Sequence, residues 1–275
     1  MKLSSYLMVG MLAIMFSLGG KHACYAMTTY TDNESNDSAT EAQYCGKNAQ
    51  TYAQTVSGNN STYRIVKGTL TGASDEDWYQ IYLSCEKTVY LTLNAGNYTV
   101  NADIIDSNMK ICEQHCYSGL KSENVFKLSI NTAGYYYVRI YHDQEVNASY
   151  DFTIGNPRYY LSSFTKKFGT QTLPAKGEWT ALLELSNNNN IPKDAVGYKI
   201  SVQGCTSSIS SSRYFYNEFY KEWVQTRTGY TYNLPVTDSS RLDQNWKVKY
   251  VSAQARQKSF SPEVKIYYVY PELPK

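Results

Sequence analysis

Between Tyr63 and Gly155 the chain runs through "YRIVKGTL", "DWYQIYLS", "KTVYLTLN", "VNADIID", "VFKLSIN", "YYYVRIYH" and "SYDFTIG", separated by clusters of Gly, Asn, Asp and Ser. Short β-branched and aromatic runs broken at this spacing specify an antiparallel sandwich or jelly roll and not a helical fold. The 28 tyrosines fit strands with aromatic faces. "GNP" (Gly155 to Pro157) interrupts the pattern and marks a domain boundary. Beyond it, "EWTALLELS", "VGYKISVQG", "WKVKYVSAQ" and "VKIYYVY" continue in the same style. There Trp246, Val248 and Tyr250 alternate with Lys247 and Lys249, which places one face inward and the other in water. The expected fold is therefore all-β, with two antiparallel β-sandwich domains of jelly-roll or immunoglobulin-like type. Residues 27–62 read as a polar, extended lead-in, residues 63–156 as the first sandwich and residues 157–275 as the second.

Residues 1–26 read as a cleaved signal peptide. Lys2 supplies the positive start, "LMVGMLAIMFSL" an apolar run, and "CYA" (Cys24 to Ala26) a small-x-small cleavage site. That apolar run is shorter than the roughly 20 residues a spanning helix needs, and no later segment is apolar enough. The expectation is a secreted protein, extracellular or associated with the cell surface, with no membrane span. Cleavage removes Lys2 and Lys21, so the formal charge falls from +2 to zero. A neutral chain with scattered Lys and Arg lacks the basic stripe that nucleic-acid binding requires.

Export favours disulfides. After cleavage Cys45, Cys85, Cys112, Cys116 and Cys205 remain. The first four lie before residue 120, so two bridges are expected within the first domain, with Cys205 left over; the pairing is open. "CEQHC" (Cys112 to Cys116) also has zinc-like character, although no second cluster completes it.

"GASDEDWYQIY" (Gly72 to Tyr82) places three acids at the mouth of an apolar, aromatic strand. A catalytic carboxylate pair, half of a metal site and a solvated turn are the three readings. Outside the signal peptide the only histidines are His115 and His142, and neither a G-x-S-x-G elbow nor an H-E-x-x-H helix is present. Glycoside hydrolysis or lysis by paired carboxylates is the surviving enzymatic alternative. The metal reading draws on a second cluster, "TDNESND" (Thr31 to Asp37), whose Asp32, Glu34, Asn36 and Asp37 offer hard oxygen donors of the kind calcium takes.

A third group is the aromatic stretch "RYFYNEFYKEWVQTRTGYTY" (Arg213 to Tyr232). Tyr216, Phe219, Tyr220 and Trp223 fall at helical spacing, so a short helix would present one aromatic stripe, either as a platform for sugar rings or as core.

The order "NESNDSATEAQ", "VKGTLTGASDEDWYQIYL", "VYLTLNAGNYTVNADIIDSN", "INTAGYYYVRIY" and "SYDFTIG" resembles the bacterial pre-peptidase C-terminal domain over residues of about 30 to 155. That family is a β-sandwich found beside exported enzymes and is similar to the collagen-binding domains of clostridial collagenases. The resemblance implies a calcium site shared between the lead-in and the D-x-D turn, with Asp32, Glu34, Asn36, Asp37, Asp75 and Asp77 at ligand-like positions. Collagen binding is not implied, and residues from Pro157 onward resemble no named family. The expected function is a secreted, non-catalytic binding or accessory protein whose partner is an extracellular polysaccharide or protein surface; a structural envelope component is the further alternative.

Overall fold

Alternate residues of the strands do point inward, and they close two separate cores. In the computed structural model, which describes residues 26–85, 88–120, 124–205, 211–226 and 230–275, the chain divides into one unit of Met1–Arg158 with Glu272–Lys275 and a second of Tyr159–Pro271. The signal-peptide reading of residues 1–25 lies outside the described residues.

The first unit contains β1 (Thr28–Thr31), β2 (Gln43–Tyr44), α1 (Tyr52–Ser57), β3 (Arg64–Leu70), β4 (Glu76–Leu83), β5 (Val89–Asn94), β6 (Thr99–Asp106), β7 (Ile111–Ser118), β8 (Val125–Leu128), β9 (Gly134–Tyr141) and β10 (Ala148–Gly155). Two five-stranded sheets result, ordered β1-β3-β10-β5-β8 and β2-β4-β9-β6-β7. Tyr79, Ile81 and Leu83 of β4, Val138 and Ile140 of β9 and Phe152 and Ile154 of β10 fill the space between them.

The segment expected as an extended lead-in is more ordered than its polarity suggested. β1 pairs with β3 and β2 with β4, both in parallel, so the sandwich is not wholly antiparallel. Thr51 and Gln54 close a capping box that starts α1, and Gly58 in the left-handed region ends it. Strand β7 carries polar residues on both faces, which hid it: Glu113, His115 and Tyr117 alternate with Gln114 and Cys116 at the sheet edge.

The second unit contains β11 (Tyr159–Lys167), β12 (Gln171–Leu173), β13 (Glu178–Leu183), β14 (Val196–Gln203), β15 (Ser211–Asn217), β16 (Val224–Gln225), β17 (Thr231–Asn233), β18 (Trp246–Ser252), β19 (Lys258–Phe260) and β20 (Glu263–Pro271). Four-stranded sheets β11-β20-β14-β17 and β13-β18-β15-β16, with the ribbon β12-β19, enclose Trp246, Val248, Tyr250, Phe215, Ile200 and Ile266. The last residues return to the first unit, where the Glu272 amide donates to the Arg158 carbonyl.

The expected disulfides are not formed: the described cysteines are all free thiols. Cys45 is fully buried in the first core and behaves as a small apolar residue. Cys112 and Cys116 lie four residues apart on one extended strand, roughly 13 Å at ordinary strand rise and about twice the Cα separation a bridge spans. Nor is "CEQHC" a zinc site, because His115 bonds Glu113 at 3.0 Å and stacks on Phe126. Burial also pushes the Cys45 thiol up to about 12. Alkylation of the native chain with iodoacetamide is therefore expected to modify Cys85, Cys112 and Cys116 and to spare Cys45 until denaturant is added. Peptide mass mapping checks this; bridged cysteines in the non-reduced protein would contradict it.

Candidate functional site

The inward row of β4 begins with a carboxylate. Asp77 precedes Tyr79, Ile81 and Leu83 on the core side and is only 2% exposed. An aspartate there has to be neutralised or bonded. Tyr150 of β10 donates to Asp77 Oδ2 at 2.7 Å, and the Tyr79 and Tyr150 hydroxyls lie 2.6 Å apart. Tyr79 in turn donates to Asp32 Oδ1 at 2.9 Å. Asp32 follows β1, so the chain of four polar groups runs from one sheet of the sandwich to the other. Gly68 of β3 makes room for it, since a Cβ there would overlap the Tyr150 phenol.

Burial pushes the Asp77 carboxyl from 3.8 up to about 8, with the charges of Asp32 and Asp75 adding to the effect and the Tyr150 bond opposing it.

The rest of the acidic set gathers at the same end. The Trp78 amide donates to the Asn36 carbonyl at 2.8 Å and the Asn36 side-chain nitrogen donates to the Trp78 carbonyl at 3.3 Å, so "TDNESND" is tied to β4 through its one buried residue. Asp75 Oδ2 accepts from the amide and hydroxyl of Thr71, closing the turn that begins "GASDED". The Glu34 carboxyl, although exposed, is raised by slight desolvation and by the charges of Asp32, Asp75 and Asp37. Lead-in and turn, some forty residues apart in sequence, therefore share one electrostatic environment.

Two buried oxygens in this set have no partner: Asp32 Oδ2 and Asn36 Oδ1. Each costs on the order of 1–3 kcal/mol if left so. Among the described residues no three His, Cys, Asp or Glu side chains converge as a ready metal shell. The two orphaned acceptors, one a carboxylate oxygen and one an amide oxygen, are of the hard type that fits a divalent cation.

The aromatic stretch folds differently from the helix its spacing suggested. Ser211–Asn217 is strand β15, with Arg213, Phe215 and Asn217 buried and Tyr214 and Tyr216 facing water. Period 2 wins over period 3.6 because Phe215 and Asn217 have core partners: Phe215 stacks on Trp246 and Asn217 donates to the Ser239 carbonyl. The chain then turns at Lys221, whose φ is +54°, and returns through Trp223 to β16. Tyr216 and Trp223 are brought together, ring centroids 5.7 Å apart. Tyr220 packs on Phe215 instead, and Phe219 stands 62% exposed beside it. Sequence reasoning missed Tyr79 and Tyr150 as partners of the acids, and also Tyr214 beside Tyr216. The alternation of Lys247 and Lys249 with Trp246, Val248 and Tyr250 was the legible sign that an outer face lay there.

A cavity of about 510 Å³ at the β6–β7 hairpin contains Asp106 and Glu113. Both are already engaged. Asp106 Oδ1 accepts from the amides of Asn108 and Lys110, and Glu113 is held by His115 and the Ser129 amide.

No protein-family model matches this chain, and no curated protein matches it. Among solved structures, a protein of Eubacterium rectale provisionally described as secreted is 12% identical, with 88% of this chain and 84% of that one covered at a TM-score of 0.51. That likeness is one of fold. The pre-peptidase C-terminal domain of a Bacillus anthracis collagenase overlaps 42% of this chain and 94% of its own at 16% identity, with a TM-score of 0.29. So low a score adds no weight. No helix of the described residues is long and apolar enough to cross a membrane.

The Asp77 carboxyl gives a pH prediction with a definite sign. Its folded value, about 8, lies above its ordinary 3.8. In chelator the native state therefore keeps a proton that the unfolded chain releases, and this contribution to stability is lost as pH rises between those values. Asp77→Asn, neutral throughout, is expected to gain stability relative to the parent as pH rises from about 4 to about 8 in urea melts. Parallel curves would show that Asp77 titrates normally.

Proposed function

We propose that the protein is a secreted, non-catalytic binding or accessory protein whose first unit is a calcium-stabilised β-sandwich and whose ligand is an extracellular polysaccharide. The observation that carries the calcium part is the pair of orphaned buried oxygens, Asp32 Oδ2 and Asn36 Oδ1, among gathered carboxylates. Asp32, Glu34, Asn36, Asp37, Asp75 and Asp77 would hold the ion. A divalent cation supplies charge compensation and oxygen coordination there, and this chain's own residues do the rest. On binding it, Asp77 would give up its proton, while Tyr150 and Tyr79 keep Asp77 and Asp32 in position and Asn36 anchors the lead-in to β4.

The resemblance of residues of about 30 to 155 to pre-peptidase C-terminal domains supports the same reading, as does the fold shared with a protein provisionally described as secreted. The non-catalytic reading draws support from the state of the acids: Asp77 is buried under the sandwich edge, and Asp106 and Glu113 in the cavity are taken up in turn and strand contacts. The ligand reading draws support from the water-facing rings Tyr216 and Trp223, because an aromatic ring packs well against the C–H face of a pyranose.

The test is a thermal melt of the full secreted chain in chelator and across a calcium titration. Stabilisation is expected to grow with concentration, reaching about 2.7 kcal/mol at a hundredfold excess over the dissociation constant, which for an extracellular site lies around 10⁻⁴ to 10⁻³ M. In saturating calcium Asp77→Asn is expected to become destabilising, the reverse of its effect in chelator at pH 8. A melt that ignores calcium would overturn the metal reading.

A further inference from the structure

The near-neutral charge of the chain conceals a division. Tyr159–Pro271 holds fourteen Lys and Arg against eight Asp and Glu, a formal +6, while the remaining residues hold twelve against sixteen, a formal −4. The second unit is thus a basic body, and part of its charge is displayed on one sheet face together with aromatic rings.

The register of β13, β18 and β15 sets this out. Leu182, Lys247 and Tyr216 form one row across the water-facing side, and Thr180, Lys249 and Tyr214 form the next. Trp223 extends the first row beyond Tyr216. Lys247 Nζ lies 5.4 Å from the Tyr216 ring centre, and Lys249 Nζ lies 4.5 Å from that of Trp223 and 5.5 Å from that of Tyr214. Every ring of the group therefore has an ammonium across it. Lys249 is 17% exposed and also reaches Glu178, at 3.6 Å, whose side chain is 59% exposed. Among the described residues no carboxylate pairs with Lys247.

We propose that this face docks an acidic polysaccharide, a chain of sugars bearing carboxylate or sulfate groups; the proposal rests on the polysaccharide-binding reading above and names the class of sugar. A uronic acid carries an apolar C–H face and an anion on the same ring. The protein offers the complementary pair, ring beside ammonium, twice: Tyr216 with Lys247, and Tyr214 and Trp223 with Lys249. The two lysines are alternate residues of one strand, roughly 6.6 Å apart along it, so neighbouring charged groups of an extended polymer can be met by neighbouring cations. Nucleic acid fits less well. Backbone binding needs a longer run of cations than two, one already shared with an acid. Glu178 acts as the internal competitor for Lys249, and an incoming carboxylate or sulfate displaces it.

The experiment is titration calorimetry of the full chain with polygalacturonate, dextran sulfate, uncharged dextran and oligo(dT) at low salt. Binding is expected to one of the two acidic polysaccharides, and which one separates carboxylate from sulfate. Added salt is expected to weaken it. Lys247→Gln combined with Lys249→Gln is expected to weaken it about tenfold or more, with an unchanged melting temperature. Glu178→Gln, which frees Lys249, is expected to tighten it, a gain that damage to the fold would not produce. Equal affinity for uncharged dextran would overturn the proposal and leave a neutral-sugar binding protein in place. Preference for oligo(dT), an unaltered double lysine variant, or no binding to any polyanion would each overturn it as well. None of these outcomes touches the calcium melt of the first unit.

Discussion

A carboxylate at a core-facing position of β4 is the constraint on which the first unit depends. Leaving Asp77 charged and unbonded in the sandwich would cost more than most single contacts return. The structure meets that cost with phenols from both sheets and with a proton. Tyr150 has to cross over β3 to reach Asp77, which is why residue 68 is glycine. Tyr79 has to find a second acceptor, which is why Asp32 and with it the end of β1 lie alongside β3. A local choice of one polar residue thereby fixes the path of a segment far away in sequence.

Much of this was legible, and the part that was not has a common physical cause. Strands whose inward residues are apolar announced themselves: β4, β9, β10, β18 and β20 lie close to where alternation put them. Strand β7 did not, because an edge strand needs few apolar residues and its inward Glu113 and His115 satisfy each other. The segment Arg213 to Trp223 was misread for the opposite reason, since its aromatics are so dense that they fit two periods. Burial of Arg213 and Asn217 distinguishes the periods, and neither residue type signals burial in a sequence. Similarly, the acids of the lead-in and turn were visible as two clusters, but the phenols joining them were two tyrosines among 28. The cysteines misled because export favours bridges without making them necessary; two large cores already stabilise the units.

Composition averaged over a chain can also hide what its parts do. A total near zero argued against nucleic acid, whereas the division of charge between the two units is ten elementary charges wide, from +6 to −4. The unit with the acidic excess carries the cluster proposed to hold a cation, and the unit with the basic excess carries the face proposed to meet an anion. Neither property is visible in the isoelectric point.

The lead-in is where these two themes join. From Asn33 to Ala42 its backbone is tied down by few bonds: two local turns, Ser35 to Asn33 and Glu41 to Ser38, and the one long-range link from Trp78 to Asn36. Packing does little more, since Asn36 is the only residue of that stretch that is buried. Apolar side chains there would have anchored it permanently. Carboxylates anchor it best when something neutralises them, because the charges of Asp32, Asp75 and Asp37 oppose ionisation of Glu34 beside them. On the calcium reading proposed here, order in the lead-in follows the ion: high outside the cell, where calcium is millimolar, and low before export, where it is scarce. The buried network of Asp77, Tyr150 and Tyr79 would then hold the sandwich together in both conditions, by keeping a proton in the absence of calcium and giving it up in its presence.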